Sequence, residues 1–424
     1  MVQTTNKSHN NKPKLTNSSF RLCNNPLTHT FVDLGMSPLC ESYLSLEQIN
    51  QEEPFYPLHV HVCDHCYLVQ LESYVSPEHI FTEYAYFSSY ADTWLQHAQD
   101  YTDLMVERFG FDQESHVVEV ASNDGYLLQY FVEKNIPCLG VEPAANVAKV
   151  ATDKGVPTLV EFFGVECAQK LVEQGKQADL ILGNNVLAQV PDLNDFVAGM
   201  KILLKAEGVI TIEFPHLMCL MAENQFDTIY HEHFSYFSFI TAQKIFAGHG
   251  LTLFDVEELS THGGSLRIYA RHQEDDSKPI SDRAIALIER EQQAGFTEME
   301  CYANFDEQVK ETKRKLLTFL ITAKREGKTI AGYGAPGKGN TLLNYCGIRT
   351  DFIDYTVDRN PYKQGMFLPG THIPIYHPDK IMETKPDYVL ILPWNFKDEI
   401  IKQMSGIKEW GGKFVIPIPE VKVL

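Results

Sequence analysis

Val117-Val118-Glu119-Val120-Ala121-Ser122-Asn123-Asp124-Gly125-Tyr126 is the stretch that decides the fold. Its apolar half has the length of a buried strand, its polar half reads as a tight turn, and helical spacing resumes over residues 125–133. A second strand, Cys138-Leu139-Gly140-Val141-Glu142, closes on an acid before a helix over 147–154. Working outward, strands are predicted at 178–182, 208–213, 251–256 and 266–271, the last two separated by the turn Thr261-His262-Gly263-Gly264. Helices are predicted at 94–109, 193–204 and 242–249. Apolar strands alternating with amphipathic helices predict an α/β fold with a doubly wound, Rossmann-like sheet, its ligands at the carboxyl ends of the strands.

The chain has 424 residues, enough for two or three cores, with 44% hydrophobic residues and a net charge of −20. That acidity argues against a general nucleic-acid binder, because phosphate backbones reward clustered positive charge. Residues 1–19 are polar with no apolar core of a signal peptide, and no apolar run reaches the roughly 18 residues of a membrane span. The 9 cysteines do not form the pattern of a secreted disulfide scaffold, so a cytoplasmic location is expected.

Four stretches differ in character: a turn-rich lobe at 20–75, the αβ core at 76–280, charged linking helices at 281–325 and a second αβ unit at 326–424. In the lobe, Cys63-Asp64-His65-Cys66 reads as a metal knuckle between two strands, with Cys23 as half of a second knuckle. Phe20 stands where the other half would be, so Cys23, Cys63 and Cys66 are the candidate zinc ligands. Cys40, His59, His61 and His65 are candidates for a fourth, and the alternative is a metal-free lobe packed by Phe20. The C-terminal unit has strands near Ile330, at 352–358, at 388–392 and at 414–417, too few for a six-stranded mononucleotide fold.

An acid at the end of the second strand of such a core, here Glu142, is placed to accept ribose hydroxyls. Glu119, Asn123, Asp124 and Gly125 sit where the first strand turns toward the cofactor's amino-acid tail, with Gly125 allowing close approach. The loop lacks GxGxxG spacing, which disfavours a dinucleotide and suits S-adenosylmethionine, a cofactor without phosphates. Asn184, Asn185 and Gln189, in the loop after the strand at 178–182, complete the candidate cofactor set.

Phe226-Asp227-Thr228-Ile229-Tyr230-His231-Glu232-His233-Phe234-Ser235-Tyr236 crowds acid–base groups together. Imidazole titrates near neutral pH and suits removal of a proton beside a ketone, which makes His233 the candidate base. Glu232 is placed to orient it, and Tyr230 and Tyr86 to donate hydrogen bonds to an enolate oxygen. His231 and His233, two residues apart, lack the i, i+4 spacing of a zinc-binding helix. A second ligand site is predicted at Gly332-Tyr333-Gly334-Ala335-Pro336-Gly337-Lys338-Gly339-Asn340, a strand-to-helix turn whose N–H groups and Lys338 attract phosphate. Its spacing is not that of a Walker A loop. Tyr333, Lys338, Asn340, Asp358 and Arg359 are its candidate contacts.

These stretches resemble the C-methyltransferases of deoxysugar biosynthesis, which act on nucleoside-diphosphate-linked 4-keto-6-deoxy sugars; Tyr230-His231-Glu232-His233-Phe234 and Tyr333-Gly334-Ala335…Lys338-Gly339-Asn340 carry the likeness. The resemblance implies a zinc-binding lobe, an S-adenosylmethionine-dependent core and a C-terminal nucleotide-binding domain. It also implies deprotonation at C3 beside the C4 ketone and methyl transfer to C3, with His233 as base, Glu232 and Tyr230 as its partners and Tyr86 near the keto oxygen. Two positions depart from the family: Phe20 replaces a zinc ligand, and Gln189 replaces a histidine with an amide that cannot act as acid or base. The alternatives are an O- or N-methyltransferase and a non-catalytic nucleotide-sugar binding protein. The expected partner is a nucleoside-diphosphate sugar, with no nucleic acid and no membrane, and three lobes around one cleft suit a monomer or small homo-oligomer.

Overall fold

The computed structural model describes residues 19–76, 88–90 and 92–424. Tyr86 lies outside the described residues. Strand β1 (His29–Ser37) pairs antiparallel with β2 (Tyr56–Val62), and β2 with β3 (Val69–Leu71). The alternation of burial along β2, with Leu58, Val60 and Val62 inward, is the period-two pattern of a sheet covered on one face. Helix α1 (Asp92–Phe109) follows and buries Ala98, Tyr101, Thr102 and Met105, spaced three and four residues apart.

The core is built in repeated strand–helix units: β4 (Val117–Val120), α2 (Leu128–Glu133), β5 (Cys138–Val141), α3 (Ala145–Asp153), β6 (Thr158–Leu159), α4 (Val165–Glu173), β7 (Ala178–Asn184), α5 (Leu193–Leu203) and β8 (Leu204–Pro215). Next come α6 (Leu217–Ala222), β9 (Ser235–Tyr236), α7 (Phe239–Gly248), β10 (Leu251–Leu259) and β11 (Ser265–His272). Seven of these strands form one sheet in the order β10-β11-β8-β7-β4-β5-β6. All four residues of β4 are buried, as befits a central strand paired in parallel with both β5 and β7. The chain order reverses between β4 and β7, which opens a crevice above their carboxyl ends. β11 runs antiparallel between β10 and β8, and its Arg267 pairs with Glu213 of β8 at 2.6 Å. β9 stands apart from this sheet and joins β3, with Val69 opposite Tyr236, so the lobe's sheet includes a strand that begins two residues beyond His233.

Linking helices α8 (Asp282–Gln293), α9 (Met299–Ala303) and α10 (Phe305–Arg325) join the halves. Glu291 of α8 is buried and accepts the N–H groups of Phe239 and Ile240 at the start of α7 and the His216 ring at 2.7 Å. α10 buries Phe305, Val309, Thr312, Leu316 and Leu320, and Phe305 stacks on Phe31 of β1 at 4.5 Å. The C-terminal unit contains β12 (Ile330–Tyr333), α11 (Gly337–Cys346), β13 (Thr356–Val357), β14 (Ile375–Tyr376), α12 (Asp379–Thr384), β15 (Tyr388–Ile391), α13 (Lys397–Gln403), β16 (Lys413–Ile416) and β17 (Lys422–Val423).

Its sheet has six strands in the order β14-β13-β12-β15-β16-β17, against the expectation of fewer. Three of these strands, β13, β14 and β17, span only two residues each, too short to leave a hydrophobic run in the sequence. The predicted strand at 352–358 shrinks accordingly to Thr356–Val357. The helix expected from residue 125 starts at Leu128, because Ala121, Asn123 and Gly125 all take positive φ and hold the preceding residues in a turn.

Candidate active site

Above the carboxyl ends of β4 and β7 lies a cavity of about 540 Å³. Residues of the core, of the segment before β9 and of the C-terminal unit line it together. On the core side, Glu142 accepts the N–H of Asn123 at 2.9 Å and that of Ala144 at 2.9 Å, which braces the turn after β4. Burial raises its pKa, opposed by these two donors. Each oxygen keeps a lone pair for a ligand hydroxyl. Asn123 in turn accepts the N–H of Ser88 at 3.0 Å.

Asn184, at the end of β7, lines the cavity with both side-chain polar atoms buried and unpaired among the described residues. An orphaned amide is costly unless a ligand completes it. Together with Glu142 and apolar walls from Val141, Phe163 and Phe196, it fits a nucleoside with a polar tail. Asn185 and Gln189 line the same wall.

Three predicted cofactor residues lie outside the cavity lining. Glu119 is fully buried in β4, and burial with Glu142 and Asp124 nearby pushes its pKa well up. Asp124 is buried and paired with Lys154 at 3.2 Å. Gly125 has φ +74, and a Cβ there would stand 3.0 Å from Val156 and 3.1 Å from Ala151. Its missing side chain therefore serves packing against α3 and the following loop, a correction to the reading that it admits the cofactor.

Tyr230, Glu232 and His233 line the same cavity. The loop carrying them is strapped on both sides: Phe234 donates its N–H to Ala188 O at 2.7 Å, and its carbonyl accepts from Leu71 N at 3.0 Å and Arg21 Nη1 at 2.8 Å. His233 Nδ1 lies 2.9 Å from Thr228 O and must donate to it, so the lone pair sits on Nε2. The Tyr230 ring packs 4.1 Å from the imidazole. Burial lowers the His233 pKa to about 4, with Lys338 adding to the shift and the Thr228 bond opposing it. The imidazole is therefore neutral at pH 7, in the form that accepts a proton. Cys40 donates its thiol to Glu232 at 3.6 Å. His231 turns away to Pro57 O at 3.2 Å.

On the third wall, Pro336, Gly337 and Lys338 present the N-terminus of α11 to the cavity. Lys338 donates to Asn395 at 2.8 Å and lies 4.7 Å over the Trp394 ring. Of the predicted nucleotide contacts, only Lys338 is in the lining. Tyr333 donates to Gln403 at 3.2 Å, Asn340 holds Cys40 O at 2.5 Å, and Asp358 accepts Ala335 N at 2.7 Å. Arg359 is exposed and pairs with Glu399 at 3.7 Å. Sequence reasoning missed Trp94, His262, Lys363 and Asn395, all cavity-lining; single residues on separate elements leave no motif.

The three sulfurs of Cys23, Cys63 and Cys66 lie within 4.8 Å of one another, the only such metal-capable cluster among the described residues. Cys63 Sγ accepts N–H groups of His65 and Cys66 at 3.4 Å each, the bonding that favours a thiolate ligand. The two knuckles match: Tyr67 N donates to Cys63 O and Cys63 N to Leu68 O, as Asn24 N does to Phe20 O and Phe20 N to Asn25 O. Tyr67 and Asn24 both take positive φ. Phe20 thus occupies the position equivalent to Cys63, buried with an apolar ring in place of a ligand. This donor set fits a zinc ion held by three thiolates. The proposed fourth ligands are placed elsewhere: Cys40 lies at Glu232, His59 bonds Thr30 at 2.8 Å, and His61 and His65 stand outside the cluster.

The sheet order, the crevice at its reversal and a nucleoside-sized wall facing a neutral imidazole define an S-adenosylmethionine-dependent methyltransferase. Residues 94–256 match the family described as a methyltransferase domain, 21–81 a zinc binding domain, and 260–419 the C-methyltransferase C-terminal domain. The chain is 36% identical over 404 residues to the C-methyltransferase NovU of Streptomyces niveus, covering 95% of this chain and 96% of that protein. It belongs to the C-methyltransferase family. Among solved structures, magnesium protoporphyrin IX methyltransferase from Synechocystis PCC 6803 aligns at a TM-score of 0.32, with 13% identity over 42% of this chain and 78% of the other. An S-adenosylmethionine-dependent methyltransferase from Archaeoglobus fulgidus aligns at 0.32, with 14% identity over 41% of this chain and 93% of the other.

Proposed function

We propose that the protein methylates a carbon, C3, of a nucleoside-diphosphate-linked 4-keto-6-deoxy sugar through an enolate. The single observation that carries this reading is one cavity shared by the Asn184 and Glu142 wall, the free Nε2 of His233 and Lys338 at a helix N-terminus. Lys338 and the first N–H groups of α11 hold the diphosphate by charge and dipole. His233 Nε2 takes the proton from the carbon beside the ketone, and the C–H electron pair moves into the enolate. Glu232, the chain neighbour of His233 in the same cavity lining and acceptor of the Cys40 thiol, is its partner in proton transfer. Tyr230, and Tyr86 from outside the described residues, donate hydrogen bonds to the developing oxyanion. S-adenosylmethionine, when bound, supplies an electrophilic methyl on a sulfonium that departs as a neutral thioether. Glu142 and Asn184 orient the cofactor, with Asn185 and Gln189 alongside.

The lobe at 20–75, the core at 76–280, the helices at 281–325 and the unit at 326–424 divide this work into metal-braced support, methyl transfer, connection and nucleotide binding. No helix among the described residues is long and apolar enough to cross a membrane. We place the enzyme in the cytoplasm, where nucleotide sugars are made and used. The test is methyl transfer from a ¹³C-labelled donor to dTDP- and GDP-linked 4-keto-6-deoxy sugars, with NMR locating the label. A methyl on carbon next to the ketone supports the proposal, and a methyl on oxygen or nitrogen overturns it.

A further inference from the structure

The turn between β10 and β11 holds three successive positive φ angles, +53 at His262, +90 at Gly263 and +117 at Gly264. A residue with a side chain is uncommon in that region, and such positions gather where surrounding contacts fix a functional geometry. Those contacts are present. Gln225 donates to Gly263 O at 2.7 Å, His216 N to Gly264 O at 3.0 Å, and Ser265 to Thr261 O at 3.0 Å. A Cβ on Gly263 would fall 2.7 Å from the Trp394 ring, so the C-terminal unit also presses on the turn.

The turn aims the His262 ring into the wall of the shared cavity. Asn185 Nδ2 lies 3.1 Å from His262 Nε2. An amide nitrogen only donates, so Nε2 accepts and the ring proton sits on Nδ1. Nδ1 has no protein partner among the described residues, while Trp94 meets the ring edge-on at 5.3 Å. The titratable groups that act on it are Lys338, Glu213, His233 and His97. Burial, with Lys338 next, lowers its pKa to about 4, which keeps the imidazole neutral at working pH.

A neutral imidazole with a fixed tautomer, an N–H without a partner among the described residues and a place in the cavity wall is suited to donate a hydrogen bond to developing negative charge. We infer that His262 is a further catalytic residue, whose Nδ1–H hydrogen-bonds the substrate oxygen that becomes an enolate oxygen when His233 takes the carbon-bound proton. The inference rests on the enolate reading above. The proton moves from carbon to His233 Nε2, the electron pair moves onto the ketone oxygen, and His262 keeps its own proton throughout.

The test compares His262→Gly, which accepts the positive φ but removes the donor, with His262→Asn, which accepts the same φ and restores an N–H. With the full-length protein and dTDP- or GDP-linked 4-keto-6-deoxy sugars in D₂O, without methyl donor, the readout is deuterium uptake at the carbon beside the ketone. His262→Gly is expected to slow uptake and kcat by about 10²–10³-fold. KM and donor affinity should stay within about threefold, and His262→Asn should recover at least about tenfold of the loss. The acid limb of the pH profile should not move in His262→Asn, because the group acts in neutral form. Uptake unchanged in His262→Gly overturns the inference. So does intact uptake with slowed methyl transfer, or a loss that follows donor affinity or melting temperature. Wild-type protein that turns over but takes up no deuterium overturns the enolate reading and this inference together, whereas wild-type uptake matched by His262→Gly overturns the inference alone.

Discussion

The two αβ halves of the molecule share one local device and use it differently. In the core, Glu142, following the second strand, accepts the N–H of Asn123 in the turn after the first strand at 2.9 Å. In the C-terminal half, Asp358, following β13, accepts the N–H of Ala335 in the turn after β12 at 2.7 Å. Both acids brace the turn beside them. Each also uses its second oxygen on a backbone N–H, Glu142 on Ala144 at 2.9 Å and Asp358 on Asn360 at 2.8 Å, but only Glu142 lines the cavity. The core therefore presents a carboxylate and an amide unpaired among the described residues to the cavity, and the C-terminal half presents Lys338 and a helix N-terminus. A shared topology sets where a ligand sits, and the charge left facing it sets which ligand that is.

If the halves divide the ligands in this way, substitutions in each should affect different constants. The largest effect is expected between them, at His233. His233→Ala should lower kcat by about 10²–10⁴-fold, the range for a general base, with donor affinity unchanged by calorimetry. Lys338→Met should raise the KM for the nucleotide sugar by about 10- to 100-fold, the loss of a charge-assisted bond, and leave donor affinity alone. A matching change in donor affinity would break the division. Glu142→Gln should weaken donor binding by about tenfold. Asp358→Asn should leave donor binding untouched and shift only stability, read by thermal melting.

The pH dependence has a defined sign. His233 and His262 have native pKa values near 4, below the ordinary imidazole value of 6.5, because burial disfavours their charged forms. Between those limits the unfolded chain binds more protons, so stability falls as pH drops from about 6.5 through about 4. For catalysis the base remains neutral down to about pH 4, so the acid limb of kcat/KM should appear near 4 and not near 6.5. The smallest expected effect lies in the lobe. Phe20→Cys should convert three sulfur ligands to four and slow zinc loss to a chelator, with kcat within about twofold.

The alternation of strand and helix was legible because β4, β5 and β7 are buried and apolar, and buried strands leave continuous hydrophobic runs. β13 and β14 were not legible, since two residues carry no period. Asn184 and Lys338 could be read as candidates because each ends a strand or opens a helix in a predictable register. Asn340 and Tyr333 belong to the same motif as Lys338, yet they point to Cys40 and Gln403, because successive positions on a helix or strand face different directions. His262 stood inside a turn already visible as His-Gly-Gly, but only the fold brings that turn beside His233 and Lys338. Gly125 taught the reverse, a glycine that looked like a ligand-facing position and is filled by Val156 and Ala151.

The proposed reaction turns on removal of a carbon-bound proton by His233. Deuterium uptake from D₂O into a 4-keto nucleotide sugar, without methyl donor, measures that step alone. One deuterium beside the ketone is expected with wild-type protein and none above background with His233→Ala. Uptake at the wild-type rate in His233→Ala would contradict it.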